Sequence, residues 1–123
     1  PPVFLPREET AAFQALAAQA ASGDGVLAAY ATGNALPAWA PVRVVAGLGP
    51  ESPSLAAQEA ALRRFFNPAA TDGWRRAFLR QHALRWVFWG PAERALGGWD
   101  PHGADFLCLR YEQGDYAFWE VCR

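Results

Sequence analysis

Lysine and methionine are absent from the 123-residue chain, cysteine occurs twice and serine three times. Without lysine there is no side chain for the phosphate contact of a P-loop, and neither Gly33 nor Gly47-Leu48-Gly49 belongs to a G-x-G-x-x-G fingerprint. The sequence therefore gives little support to nucleotide binding, and it implies no cofactor. Ser22, Ser52 and Ser54 all lie outside a G-x-S-x-G nucleophile elbow. Cys108 and Cys122 are too few for a disulfide framework and have no partner at CxxC spacing, which removes a zinc site and leaves no metal ligand set. A hairpin register pairing Glu112 with Asp115 would set Cys108 opposite Trp119 and turn Cys122 to the other face, which forbids a bond between them. No apolar run reaches the ~18 residues needed to cross a bilayer, and the first residues lack a charged-then-apolar leader, so the segment is expected to be soluble. The absence of methionine fits either an initiator removed before a small residue or a segment cut from a longer polypeptide.

All 11 basic residues are arginine, and 12 acidic residues interspersed among them leave a net charge of −1. No basic stripe of the nucleic-acid-binding kind results, so neither DNA nor RNA is expected as a partner. A hydrophobic content of 52% points to one packed domain spanning residues 1–123, whose folding removes roughly two thirds of the unfolded surface from water.

The chain opens with an extended, proline-rich lead-in. Pro6 suits a first helical turn, Glu8 and Glu9 suit the positive end of a helix dipole, and Phe13, Leu16, Ala17 and Ala20 recur at helical spacing. A first helix is expected over residues 7 to 21. Two short runs, 26 to 31 and 42 to 47, read as buried strands. Between them Leu36 to Ala40 forms a helical turn. Ser52 as cap and Pro53 begin a second helix with an apolar stripe of Leu55, Leu62, Phe65 and Phe66. Thr71 caps a third helix with Trp74, Ala77, Phe78 and His82 on one face and Arg75, Arg76 and Arg80 turned outward, ending near Ala83. Residues 85 to 90 form a third strand, followed by a short helix closed by Gly97 and Gly98. Residues 106 to 111 and 116 to 121 form a hairpin. The expected fold class is α/β: a three-layer Rossmann-like sandwich of about five strands, with a parallel core and a C-terminal antiparallel hairpin.

Ligands of open α/β sheets sit outside the carboxyl ends of the strands. Three loops qualify, and they supply Thr32, Asn34, Glu51, Ser52, Glu93 and Arg94 beside the indoles of Trp39 and Trp89. Such a set suits a polyhydroxylated ligand, since amides and carboxylates match sugar hydroxyls while an indole covers a ring face. Each residue also has a plain structural role open to it: Asn34 in a turn, Ser52 as a cap, Glu93 and Arg94 as a solvated pair. Asp100-Pro101-His102 reads mainly as a polar turn, and His82 as a helix-end residue bordering the core. Trp39, Trp74 and Trp99 are the tryptophans most open to a role as docking surface. No catalytic constellation emerges, which leaves enzymatic activity undetermined.

The order of Pro6-Arg7-Glu8-Glu9, Ala31-Thr32-Gly33-Asn34-Ala35-Leu36-Pro37-Ala38, Gly47 to Ser52, Phe65-Phe66, Trp86-Val87-Phe88-Trp89-Gly90-Pro91-Ala92-Glu93-Arg94 and Tyr111-Glu112-Gln113-Gly114-Asp115 resembles the extracytoplasmic C-terminal domain of bacterial polytopic membrane glycosyltransferases similar to dolichyl-phosphate-mannose protein mannosyltransferases. The resemblance covers nearly the whole chain. It implies a non-catalytic module on the outer side of a bacterial membrane. Its partners would be its own N-terminal transmembrane region and a glycan or polyprenyl-linked sugar, and the mannosyltransferase-like catalytic carboxylate would lie in the membrane part. The chain departs from that pattern at Leu48, where the family commonly has histidine, at Trp86, Trp89 and Trp119, where it has tyrosines, and at Ala83, where it has glycine. If the end of the third helix needs a positive φ, Ala83 is strained.

Overall fold

A computed structural model of the chain describes residues 7–29, 32, 36, 42–45 and 55–122. Helix α1 (Arg7–Gln19) starts with Glu8 and Glu9 in its first turn and buries Ala12, Phe13 and Leu16. At its far end the Asp24 carboxylate accepts the Ala21 N–H at 2.9 Å and the Trp86 indole N–H at 3.0 Å, which ties the turn to the sheet. Strand β1 (Gly25–Leu27) follows, buried throughout, and then β2 (Arg43–Val45). Helices α2 (Leu55–Phe65) and α3 (Asp72–Gln81) lead to β3 (Leu84–Trp89). A single turn, α4 (Pro91–Arg94), and a 3-10 turn (Pro101–Gly103) precede the hairpin of β4 (Leu107–Gln113) and β5 (Tyr116–Val121).

The architecture is mixed α/β. The sheet runs β2-β1-β3-β5-β4, with β1 parallel to both β2 and β3 and with β5 antiparallel to both β3 and β4. Its two faces carry separate cores because successive strand residues point oppositely. On one face Phe13 and Leu16 of α1 pack on Val26, Trp86, Phe88 and Phe118. On the other, Leu62, Phe65 and Phe66 join Phe78 and Leu79 over Leu27, Val87, Ala117 and Trp119. Burial of a large apolar side chain of this kind contributes about 1.5–3 kcal/mol. The α1 face is further tied down where the Tyr116 hydroxyl donates to Glu9 at 3.2 Å. Burial, with Glu9 adding to it, pushes the Tyr116 phenol up to about 12.

The hairpin corrects one expectation. Gln113 pairs with Tyr116, so the loop is only Gly114-Asp115, and Gly114 adopts a φ of 59°. This suits a two-residue primed turn, in which glycine takes positive φ without a steric penalty. The register then shifts between Leu109 and Tyr111, so that Cys108 lies opposite Glu120. Slipping by one residue exchanges the faces of a strand. Cys108 and Cys122 therefore share a face as diagonal neighbours, and they form a disulfide across a Cα–Cα distance of 5.9 Å. A regular ladder forbids this bond, and the bulge at Arg110 breaks the ladder.

Helix α3 brings two further corrections. Arg75 does not turn outward: it is 2% exposed, while Ala77, expected on the buried face, is exposed. The guanidinium donates to the carbonyls of Phe65 at 2.7 Å and Asn67 at 2.6 Å and to Asp72 at 2.8 Å, with its plane over Trp99 at 3.9 Å. These carbonyls belong to the end of α2 and the turn after it, where no intrahelical partner exists, so Arg75 acts as their cap from the next helix. At the end of α3, Ala83 has a φ of 53°, the left-handed region that the glycine comparison anticipated. Beyond α4, Gly97 is needed for space, since a Cβ there would meet the Phe66 carbonyl oxygen at 2.3 Å.

Candidate functional site

Strand β1 has β2 on one side and β3 on the other, both parallel to it, so the strand order reverses between β1 and β3. The crevice at such a switch point is the usual ligand position of an open α/β sheet. Glu93 joins the two strand ends here. It is the third residue of α4, entered through Gly90-Pro91, and a glutamate at this position reaches back to the N-cap backbone. One carboxylate oxygen accepts the Gly90 N–H at 2.8 Å, just past β3, and the other accepts the Ala29 N–H at 2.7 Å, just past β1. The buried Thr32 hydroxyl donates to the same carboxylate. Glu93 is 0% exposed, and burial pushes its pKa above the ordinary carboxylate range while these hydrogen bonds pull it back.

Four of the residues expected at the site are described, and they divide into two groups. Thr32 and Glu93 form the buried clamp beneath the strand ends, with their oxygens turned to each other and to backbone. Glu93 is thus no solvated partner of Arg94. Trp89 and Arg94 lie at the rim: the Arg94 guanidinium sits 4.2 Å above the Trp89 ring, and Asp115 of the hairpin turn approaches it at 3.8 Å. Asn34, Trp39, Glu51 and Ser52 lie outside the described residues, as does Leu48.

Beside this stack lies a cluster whose sequence reads mainly as a polar turn. Asp100 does build that turn, accepting the His102 N–H at 2.9 Å. In addition, the His102 ring meets Asp100 through Nδ1 and Glu112 of β4 through Nε2, each at 2.6 Å. The ring also packs edge-on against Trp89 and Trp119, with centroids 5.5 and 5.0 Å away. Hydrogen bonding to Asp100 raises the His102 pKa; burial opposes it, and hydrogen bonding to Glu112 adds to the rise. Asp100 has its desolvation outweighed by the His102 backbone and ring, so its pKa is lowered. The Trp89 Nε1 is buried without a hydrogen-bond partner. The pairing with Glu112 depends on the hairpin register and has no local sequence signal, whereas the Gly-Pro-x-Glu spacing of the clamp is legible as half a capping box.

Chemically, the described residues bring together an indole with a guanidinium stacked on it, an imidazole and carboxylates. Among them no group of three His, Cys, Asp or Glu side chains is arranged to hold a metal ion, and no helix is long and apolar enough to cross a membrane. No family model matches the chain, and no curated protein or solved structure is significantly similar to it.

Proposed function

We propose that the chain is a non-catalytic, extracytoplasmic domain of a membrane glycosyltransferase that uses a polyprenyl-phosphate sugar donor, and that it helps to shape the acceptor or glycan side of that enzyme. The reading includes a Rossmann-like three-layer sandwich with its crevice above β1 and β3. The observation that carries it is the Glu93 clamp. By fixing both strand ends from beneath, it leaves the Trp89 ring and the Arg94 guanidinium at the rim, where an indole and a planar donor suit a sugar ring and its hydroxyls. The Cys108–Cys122 disulfide adds support, because such bonds persist chiefly in oxidising compartments outside the cytoplasm. The resemblance of the motif order to the mannosyltransferase-like domains supplies the membrane-enzyme context of this reading.

A free-standing sugar or small-molecule binder draws on the same Arg94–Trp89 stack and is the second reading. A tryptophan-mediated docking module draws on less, since Trp74 and Trp99 are partly buried and packed against the core. The open reading frame upstream of Pro1 separates the first two: several apolar spans of ~20 residues support the membrane-enzyme reading, and a start codon immediately before Pro1 refutes it. Titration with sugars and polyprenyl-phosphate analogues tests the crevice itself, with saturable shifts at Trp89 Nε1–H and Arg94 expected. No response at millimolar ligand would overturn the free-standing binder.

A further inference from the structure

Where α2 passes into α3, an open surface depression of about 440 Å³ is lined by Arg63, Arg64, Asn67, Ala69, Ala70 and Thr71, all but Ala70 exposed. Its polar groups are one-sided. The Asn67 side-chain oxygen is already engaged by the Ala69 N–H at 2.8 Å, which leaves the amide NH₂ to donate. The Thr71 oxygen is engaged by the Trp74 N–H at 3.1 Å, which leaves the hydroxyl hydrogen. Arg64 lies with its guanidinium carbon 4.2 Å above the Trp74 ring. Stacking occupies the face of a guanidinium and keeps its edge N–H groups for in-plane acceptors, while restricting the rotamers that a bound anion would otherwise have to freeze. Among the described residues Arg63 pairs with Glu59, one turn back at 3.2 Å, in a pair more than half exposed on both sides. An exposed pair of this type is weak and yields readily to a better acceptor. The nearby Asp72 carboxylate gives its Oδ1 to the buried Arg75 at 2.8 Å and is otherwise half exposed.

We propose that this depression binds the phosphate group of a ligand, with Arg63 and Arg64 as the charged donors and Asn67 and Thr71 as the neutral ones. Planar guanidinium edges meeting phosphate oxygens are among the stronger charge-assisted hydrogen bonds. The phosphate can come from a lipid headgroup or from a soluble phosphoester, and the site needs only their shared chemistry.

The test uses the chain as given, with inorganic phosphate and with phosphatidylcholine vesicles with and without phosphatidylglycerol. Saturable shifts of the Arg64 Nε–H and the Thr71 amide are expected with phosphate, with the anionic vesicles, or with both. Vesicles alone would assign the lipid source, and phosphate alone or both would assign the phosphate group itself. Arg64→Gln should weaken binding roughly tenfold. Arg76→Gln, an exposed α3 arginine outside the depression, should change it by less than about twofold, because it alters only the screened surface charge. Arg63→Gln, which breaks only the exposed pair, provides the same reading if loss of the Arg64–Trp74 stack unfolds the chain. The proposal is overturned by equal weakening in Arg76→Gln, or by the absence of a saturable response to both probes.

Discussion

Replacing Glu93 tests how the two strand ends are held. In Glu93→Ala the buried N–H groups of Ala29 and Gly90 and the Thr32 hydroxyl all lose their acceptor. Each orphaned buried donor costs about 1–3 kcal/mol, and some relief comes from water entering the space left by the side chain. A loss of about 3–5 kcal/mol is therefore expected, a large share of the 5–15 kcal/mol typical of a domain. Glu93→Gln keeps one acceptor oxygen and turns its NH₂ toward one of the two backbone donors, so it should lose less, about 1–3 kcal/mol. Because burial raises the Glu93 pKa, its protonation favours the fold. That contribution is fully present below the unfolded value of about 4.3 and is lost as pH rises through the higher folded value. Urea unfolding of the three proteins across that interval is the assay, and Glu93→Gln should remove this component of the pH slope. A loss below about 1 kcal/mol in Glu93→Ala would refute the clamp, since even one unpaired buried donor should exceed it.

Ala83→Gly relieves the left-handed residue at the end of α3 and should raise stability by about 0.5–1 kcal/mol, the relief of about 1–2 kcal/mol being partly offset by the greater freedom of glycine in the unfolded chain; thermal unfolding measures it. Reduction of Cys108–Cys122, or the double change to serine, should cost up to about 3 kcal/mol for a sequence separation of 14, and denaturation with and without reductant checks it. His102 has a raised pKa, so its pairs with Asp100 and Glu112 stabilise fully below about 6.5 and lose their effect as pH rises through the folded value. Because those side chains are more than one third exposed, the effect should stay within about 1 kcal/mol, and His102→Gln should flatten that part of the stability profile.

The fold was legible where the signal is local. Phe13 and Leu16, or Leu62, Phe65 and Phe66, announce a helix by spacing alone, and both sets are buried where the period puts them. The Thr71 cap bonds the Trp74 N–H as its position predicts. What failed depended on residues far away in sequence. The disulfide turns on a one-residue bulge at Arg110, and nothing in the order of side chains marks a bulge there. Likewise, an arginine on an apparently polar helix face gives no sign of pointing inward, because its Asp72 partner at i−3 would suit a solvated pair equally well and its other two acceptors are carbonyls, which every residue has.

Thr32, Arg75 and Glu93 are the buried polar side chains among the described residues, and they share one kind of work. Arg75 takes up carbonyls left over where α2 ends, and Glu93, held by Thr32, takes up N–H groups where β1 and β3 end. Each thus satisfies backbone that secondary structure has abandoned, at a place where the chain changes direction. This division separates the expected polar set into residues whose polar groups are taken up by the fold and residues that keep donors free for other contacts. A carboxylate with its oxygens committed to backbone has little left for a ligand, whereas the Arg94 guanidinium has five N–H groups and meets Trp89 through its face. If the crevice binds a sugar, Trp89 and Arg94 should govern affinity while Thr32 and Glu93 govern stability. A Glu93 variant that stays folded yet loses binding as completely as an Arg94 variant would contradict that assignment.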